Sequence, residues 1–135
     1  MGLPVKITAD TNVLVRALVQ DDPEQARAAA EVLEQAELVA VPEPVLCELV
    51  WVLRRVYPFS SAECSDAIRA LISARSVVVD RPAVELGLGL LDAGGDFADG
   101  VIAMAGSAMG GERLVTFDRQ AAALLERCGQ KVATL

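Results

Sequence analysis

Short runs rich in β-branched residues alternate with longer segments of helical periodicity, and this alternation constrains the fold of the chain most. Strands that alternate with helices are typical of a parallel sheet flanked by helices on both faces. We therefore predict an α/β fold, a three-layer α/β/α sandwich with a central, mostly parallel sheet of four to five strands. The strand-like runs lie near residues 5–9, 38–41, 76–80, 114–116 and 131–135.

The helical segments carry recognisable start and stop signals. Residues 60–63, SSAE, have the spacing of a capping box, and Gly129 follows the last helical pattern as a C-terminal cap. With 135 residues and no repeat, linker or low-complexity tract, the chain fits one domain, residues 1–135, with one core. The predicted helices cover about residues 12–19, 23–36, 43–56, 60–74, 82–92, 96–109 and 118–128.

Composition excludes several classes of enzyme. The chain has no histidine, so Ser-His and Cys-His nucleophiles and imidazole zinc sites are excluded. Its three cysteines are odd in number and widely spaced, which favours reduced thiols in a cytoplasm. We also find no segment apolar enough to span a bilayer and no signal peptide in MGLPVKITAD. We therefore expect a cytoplasmic protein whose chemistry depends on carboxylates or a metal held by oxygen atoms.

One carboxylate stands in an unusually apolar stretch, VPEPVLCELVWVL at residues 41–53. Between residues 45 and 53, Glu48 is the only side chain that is not apolar, apart from the thiol of Cys47. This pattern predicts a helix packed inside the protein on every face. A buried carboxylate must be paired, protonated or bound to a metal. The partner of Glu48 is then a cation, an arginine such as Arg16 or Arg119, or the solvent at a dimer surface.

Other carboxylates follow the strand-like runs. In open α/β sheets, ligands bind beyond the carboxyl ends of the strands, where Asp10 and Asp118 are expected. Asp96 and Asp99 open a helix with a spacing that places both on one face. If the first and fourth strands are neighbours, Asp10 and Asp118 share an edge that Glu48 and Asp99 could complete. Because hard cations prefer carboxylate oxygens, we predict a Mg²⁺ or Mn²⁺ site there.

Each carboxylate also has a structural interpretation. Asp10 and Asp118 precede helices and fit N-caps, a position that Asp favours. Asp96 fits a cap as well, which would leave Asp99 as a first-turn partner of the helix dipole. Other motifs are absent: the chain has no P-loop, and the glycines of GLGLLD fall inside a predicted helix, where they form no dinucleotide-binding loop.

Four stretches in this order and spacing carry a family resemblance: ADTNVLVRAL, ELVWVL, DFADGVIA and LVTFDRQAA. Together they resemble the PIN-domain ribonucleases, specifically the VapC-type toxins of bacterial toxin–antitoxin (VapBC) pairs, over nearly the whole chain. Gly100 stands where Ala is more usual, which should weaken its helix slightly. The resemblance implies a PIN-like fold, with catalytic metal ligands at Asp10, Glu48, Asp99 and Asp118, an additional acidic ligand at Asp96, and polar supports at Asn12 and Thr116.

The resemblance further implies a metal-dependent endoribonuclease, the toxin of a type II toxin–antitoxin system. Its carboxylates would hold Mg²⁺ or Mn²⁺ and activate a water for attack on structured RNA, whether transfer, ribosomal or messenger RNA. Homodimers and inhibition by a cognate antitoxin are also implied. Two alternatives stay open: a catalytically silent RNA- or protein-binding PIN module, and a phosphatase or receiver-like domain. The last is less favoured because ADTNVL lacks a second Asp close behind Asp10.

The net charge of −7 conflicts with binding to RNA. Bound metal ions and arginines suited to phosphate contacts reduce this conflict, so we expect weak non-specific RNA binding and a narrow set of targets. Trp51, Arg54, Arg55 and Tyr57 lie where two predicted helices meet and have the composition of an interface. The alternative is ordinary core beside a solvated pair of arginines.

Overall fold

The computed structural model describes residues 5–135, so the first four residues of the stretch examined for a signal peptide lie outside the described part. Within residues 5–135 there are seven helices and five strands, and every strand pairing is parallel. The predicted α/β class is therefore confirmed. The chain divides into two compact units, unit 1 up to Val79 and unit 2 from Asp80 onward.

Unit 1 contains three parallel strands and four helices. The strands form one sheet in the order β1-β2-β3, and the central Val39 is fully buried between Ile7 and Val77. Because β-branched side chains pack well on a pleated surface, these short runs form strands as predicted. The elements are β1 (Lys6–Thr8), α1 (Thr11–Val19), α2 (Pro23–Gln35), β2 (Leu38–Ala40), α3 (Glu43–Arg55), α4 (Ser61–Ser73) and β3 (Val77–Val78).

The prediction that α3 is buried on every face is wrong. Its buried residues form a single stripe, Leu46, Leu49, Val50 and Leu53, whereas Glu48 is exposed. Apolar side chains outside the stripe also lie at the surface, and Trp51 is 56% exposed. Much of a folded protein's surface is apolar, so an apolar composition did not determine which side of this helix is buried.

Unit 2 contains three helices and a two-stranded parallel sheet, β4 with β5. Its described core includes Phe97, Leu90 and Leu125, all fully buried. The predicted strands thus form a three-stranded ladder in unit 1 and a two-stranded ladder in unit 2. The elements are α5 (Arg81–Asp92), α6 (Phe97–Ala108), β4 (Leu114–Thr116), α7 (Arg119–Arg127) and β5 (Val132–Thr134).

Two glycines allow α5 and α6 to approach closely. A Cβ added to Gly100 would lie 2.7 Å from both the backbone nitrogen and the Cα of Gly87. Such a distance is far shorter than a van der Waals contact between carbon atoms. Gly100 therefore has a packing role that offsets its poor helix propensity, because an alanine there would push the two helices apart.

Two local signals predicted from sequence are confirmed. The Ser60 hydroxyl accepts the Glu63 N–H at 3.0 Å, and the Glu63 carboxylate accepts the Ser60 N–H at 2.9 Å, which completes the capping box. Gly129 follows α7 with a φ of 87°, a conformation that favours glycine at a helix end. No helix within residues 5–135 has the length and apolar character needed to cross a membrane.

Candidate functional site

Two of the predicted site carboxylates in unit 1 are joined through one threonine. Asp10 follows β1 and caps α1, where its Oδ1 accepts the Thr11 N–H at 2.8 Å. The Thr11 hydroxyl in turn donates to Glu48 Oε1 on α3. Thr11 is only 5% exposed, so this buried hydroxyl fixes the two exposed carboxylates relative to one another.

The partner of Glu48 in unit 1 is this hydroxyl. Arg16, one of the arginines considered from sequence, instead forms an ion pair with Asp21 at 3.1 Å. Because Glu48 is exposed, burial gives it no need for a charged partner. A cation beside Glu48 is therefore no longer required by burial of its carboxylate. Any role of Glu48 as a metal ligand rests on its position beside Asp10.

The other three predicted carboxylates line one cavity of about 220 Å³ in unit 2. Asp96 caps α6, with its Oδ1 accepting the Ala98 N–H at 3.2 Å. Asp118 caps α7, with its Oδ1 accepting the Ala121 N–H at 2.9 Å. Asp99 lies in the first turn of α6 and is half-buried. The local chemistry of two helix starts thus brings three acidic side chains to one cavity.

Asp99 is under electrostatic strain in this cavity. Burial raises the pKa of its carboxyl, and the negative charges of Asp96 and Asp118 raise it further. Desolvation and like charge both disfavour the ionised form. A cation placed among the three carboxylates would offset both effects.

The capping interpretation holds for Asp10, Asp96 and Asp118, all of which accept a backbone N–H through Oδ1. A carboxylate has two oxygens and about four lone-pair positions, so a cap uses only part of its capacity. Capping therefore directs these side chains without excluding a second partner. Asp96 is a cap, and its additional role as a metal ligand stays a prediction.

The two predicted polar supports differ in their contacts. The Thr116 hydroxyl accepts the Asp118 N–H at 3.0 Å and so holds the backbone that leads into the α7 cap. Asn12 is exposed on α1 and lines a cavity of about 290 Å³ together with apolar residues such as Val13 and Val32. Thr116 thus contacts a predicted ligand residue, while the supporting role of Asn12 stays a prediction.

The acidic residues of unit 2 offer the type of donor atom that a hard divalent ion prefers. Asp96, Asp99 and Asp118 supply only carboxylate oxygens, the ligands that Mg²⁺ and Mn²⁺ prefer. Within residues 5–135, no three His, Cys, Asp or Glu side chains stand close enough to enclose one ion by themselves. Mg²⁺ commonly keeps several waters and binds one or two carboxylates, so a site there would need fewer than three protein ligands. Convergence of Asp10 and Glu48 with the other three stays a prediction.

Sequence reasoning missed Thr11 and Gln120. Thr11 joins the two carboxylates of unit 1, and Gln120 lines the cavity of unit 2. The only signal in the sequence was adjacency: Thr11 directly follows Asp10, and Gln120 lies two residues after Asp118. The Thr11 bond to Glu48, however, spans 37 positions, so sequence alone gave no indication of it.

The predicted interface on α3 is a surface and not core. Trp51 is 56% and Val56 62% exposed, and the Arg55 guanidinium lies 5.9 Å from the centre of the Trp51 ring. Arg54 donates to the hydroxyl of Ser61 at the start of α4. An exposed tryptophan beside an arginine has the composition of interface centres.

Comparison with known proteins gives one family. The family model of the PIN domain matches residues 7–125, a range that extends over parts of both units. No curated protein matches the chain significantly. The matched range includes all five residues predicted as acidic ligands, Asp10, Glu48, Asp96, Asp99 and Asp118.

Proposed function

This chain belongs to the PIN domain family, and from that premise we propose that it is a metal-dependent endoribonuclease, the toxin of a type II toxin–antitoxin system of the VapC type. The PIN domain is generally a nuclease module. We further propose that the protein acts in the cytoplasm on structured transfer, ribosomal or messenger RNA.

A single observation carries the proposal: three carboxylates line one cavity, and the pKa of Asp99 is raised there by burial and by Asp96 and Asp118. A folded protein gains nothing in stability from crowding like charges. Perturbed titratable groups in a cleft are characteristic of functional sites. The crowding is therefore best explained by a cationic ligand that binds these side chains.

We assign Mg²⁺ or Mn²⁺ to Asp10, Glu48, Asp96, Asp99 and Asp118. When bound, such an ion supplies positive charge that polarises a phosphodiester and acidifies water. The chain's own residues provide orientation. Thr11 anchors Glu48 through Oε1, and Thr116 holds the backbone of Asp118.

The test compares carboxylates that cap helices inside and outside the proposed site. Asn caps a helix about as well as Asp, so an Asp-to-Asn change removes charge and retains the cap. Asp10→Asn and Asp118→Asn should abolish metal-dependent RNA cleavage, whereas Asp22→Asn and Asp80→Asn, at the caps of α2 and α5, should retain it. Cleavage is measured by mapping RNA 5′ ends after expression in cells.

We propose that the α3 surface serves protein partners, as a homodimer contact or as the contact for a cognate antitoxin. The support is the exposed Trp51 stacked with Arg55. Replacing Arg54 and Arg55 together by alanine should weaken dimerisation, antitoxin binding or both, as measured by analytical ultracentrifugation and titration calorimetry. If both are unchanged, the partners bind elsewhere.

A second candidate function is a catalytically silent RNA- or protein-binding module. This alternative is favoured by the distances between the acidic side chains. Within residues 5–135, no three His, Cys, Asp or Glu side chains are grouped closely enough to hold one metal ion. RNA binding without cleavage at any Mg²⁺ or Mn²⁺ concentration, unaffected by Asp10→Asn, would establish this alternative.

A further inference from the structure

An aromatic residue, Phe117, directly precedes Asp118, which lines the acidic cavity of unit 2. The chain has only five aromatic residues, and one of them, Phe97, is fully buried in the core. Phe117, by contrast, is 79% exposed. A single exposed apolar residue is common on protein surfaces, so the significance of Phe117 depends on where it lies.

Phe117 lies between two residues whose backbones are fixed. Thr116 ends β4, and its carbonyl oxygen accepts the Leu135 N–H at 2.9 Å. Asp118, which lines the cavity, donates its own N–H to the Thr116 hydroxyl at 3.0 Å and caps α7. Phenylalanine has only two side-chain torsions, so holding its ring against a ligand costs little entropy.

We propose that Phe117 is a stacking platform for one unpaired base of the RNA substrate, next to the carboxylates that act on the backbone. This inference rests on the proposed nuclease function and specifies the substrate class, a nucleotide in a single-stranded loop. A base inside a duplex is stacked on its neighbours, whereas an unpaired base can stack on an aromatic ring.

Charge supports RNA stacking as the role of this ring. Phosphate contacts usually dominate RNA affinity, but a protein of net charge −7 with a cavity of three carboxylates repels phosphate. Stacking on a π face requires no positive charge and tolerates any base. Arg119 directly follows Asp118 and is exposed, and in this proposal it contacts a phosphate of the same nucleotide strand.

The same surface also has features of a protein contact. Val115 and Leu135 are 56% and 68% exposed, so Phe117 belongs to a small apolar patch. A partner protein that covers this patch would require apolar bulk at residue 117, whereas base stacking requires an aromatic ring. Substitutions at this one position therefore separate the two roles.

The experiment uses the full chain carrying Asp10→Asn, to prevent cleavage, and a synthetic RNA hairpin with 2-aminopurine in its unpaired loop. Binding should quench the fluorescence of the probe, since stacking quenches 2-aminopurine. Phe117→Ala and Phe117→Leu should each raise Kd about tenfold and remove the quenching, while Phe117→Trp restores both. A blunt duplex of the same composition should bind equally weakly to all four proteins.

Met109→Ala provides a matched control, because Met109 is 89% exposed and follows the opposite end of α6 from Asp99. Its Kd should not change.

In the active protein, Phe117→Ala should raise KM with little change in kcat. An unchanged Kd in Phe117→Ala, or full rescue by Phe117→Leu, overturns this inference alone. If the chain with Phe117 intact neither binds nor cleaves any RNA, the proposed nuclease function itself is wrong.

Discussion

The two units treat their acidic residues differently. In unit 1, Glu48 accepts a hydroxyl from Thr11, and Asp10 accepts the N–H of the same residue. In unit 2, Asp99 lies half-buried beside Asp96 and Asp118, and both neighbours raise the pKa of its carboxyl in addition to burial. Both carboxylates of unit 1 accept a hydrogen bond from Thr11, whereas in unit 2 two helix-capping carboxylates crowd Asp99 with like charge.

This difference identifies where a cation contributes most. Hydrogen bonds to the ionised form stabilise a carboxylate, whereas burial and like charge destabilise it. A divalent ion would therefore gain more electrostatic energy beside Asp99 than beside Glu48. The Asp10–Glu48 pair already accepts hydrogen bonds from Thr11, so it has less electrostatic need of a cation.

The largest expected effect is that of Asp99→Asn, which removes the carboxylate under the greatest strain. RNA cleavage should fall on the order of 10³-fold, since loss of metal-based charge stabilisation is worth several kcal/mol. The metal-free protein should at the same time melt at a higher temperature, because repulsion from Asp96 and Asp118 is relieved.

Glu48→Gln sharpens this test. It should also lower activity, but its melting temperature should not rise, because the Thr11 hydroxyl already stabilises the Glu48 carboxylate. Activity is measured by single-turnover kinetics with metal present. The melting temperature is measured by calorimetry in chelator. A lower melting temperature for Asp99→Asn would mean that the crowding is structural and does not mark a site.

The next largest effect is expected from Gly100→Ala, which should disturb only the acidic group of unit 2. The new methyl would meet the backbone of Gly87 at 2.7 Å, and overpacking of this kind costs about 1–3 kcal/mol. Because Asp96 and Asp99 lie at the start of the same helix, activity should fall as well.

Gly106→Ala is the matched control in α6, since a methyl added there would point into open space, with no atom of a neighbouring element within 4 Å. It should stabilise the protein by about 0.4–1 kcal/mol, as Gly-to-Ala changes do at unstrained helical sites. Both variants are compared by urea denaturation. Equal stability of Gly100→Ala and the unmodified protein would mean that α5 and α6 can separate without cost.

A smaller effect is expected from Thr11→Val, which removes the feature that distinguishes unit 1. The change keeps the shape and the N–H that Asp10 accepts, but it deletes the hydroxyl that donates to Glu48. We expect a loss of about 1 kcal/mol in the free energy of unfolding and a fall in activity of about 10–100-fold, as for other residues that orient metal ligands. Thr11→Ser should retain both the stability and the activity, because it keeps the hydroxyl. If the Ser variant is as impaired as the Val variant, the role of Thr11 lies in packing and not in its hydrogen bond to Glu48.

The sequence predicted local structure better than it predicted the contacts of the site. Start and stop signals act within a few residues, so the capping box at Ser60 and the helix end at Gly129 were predicted correctly. The strand-like runs were also predicted correctly, because their β-branched composition is a local property.

Contacts between distant residues were not predictable in this way. The prediction that α3 is buried on every face was wrong. Composition does not specify which apolar side chains remain at the surface, as Trp51 does. The packing role of Gly100 depends on the backbone of Gly87 in another helix. The crowding of Asp96 with Asp99 followed from helical spacing, but the addition of Asp118 required the fold of unit 2.

The smallest effect concerns Glu63, a carboxylate with a purely structural role against which the site carboxylates can be compared. The Ser60 backbone N–H, and then the Ser60 side chain, lower the pKa of Glu63. A lowered pKa in the folded state adds stability above the unfolded value, about 4.3, and this stability is lost as pH falls through the folded value. Glu63→Gln should therefore be slightly less stable than the unmodified protein at pH 7, and the difference in urea midpoint should disappear in acid below about pH 4. A difference that instead grows in acid would show that the charge of Glu63 is not what the capping box stabilises.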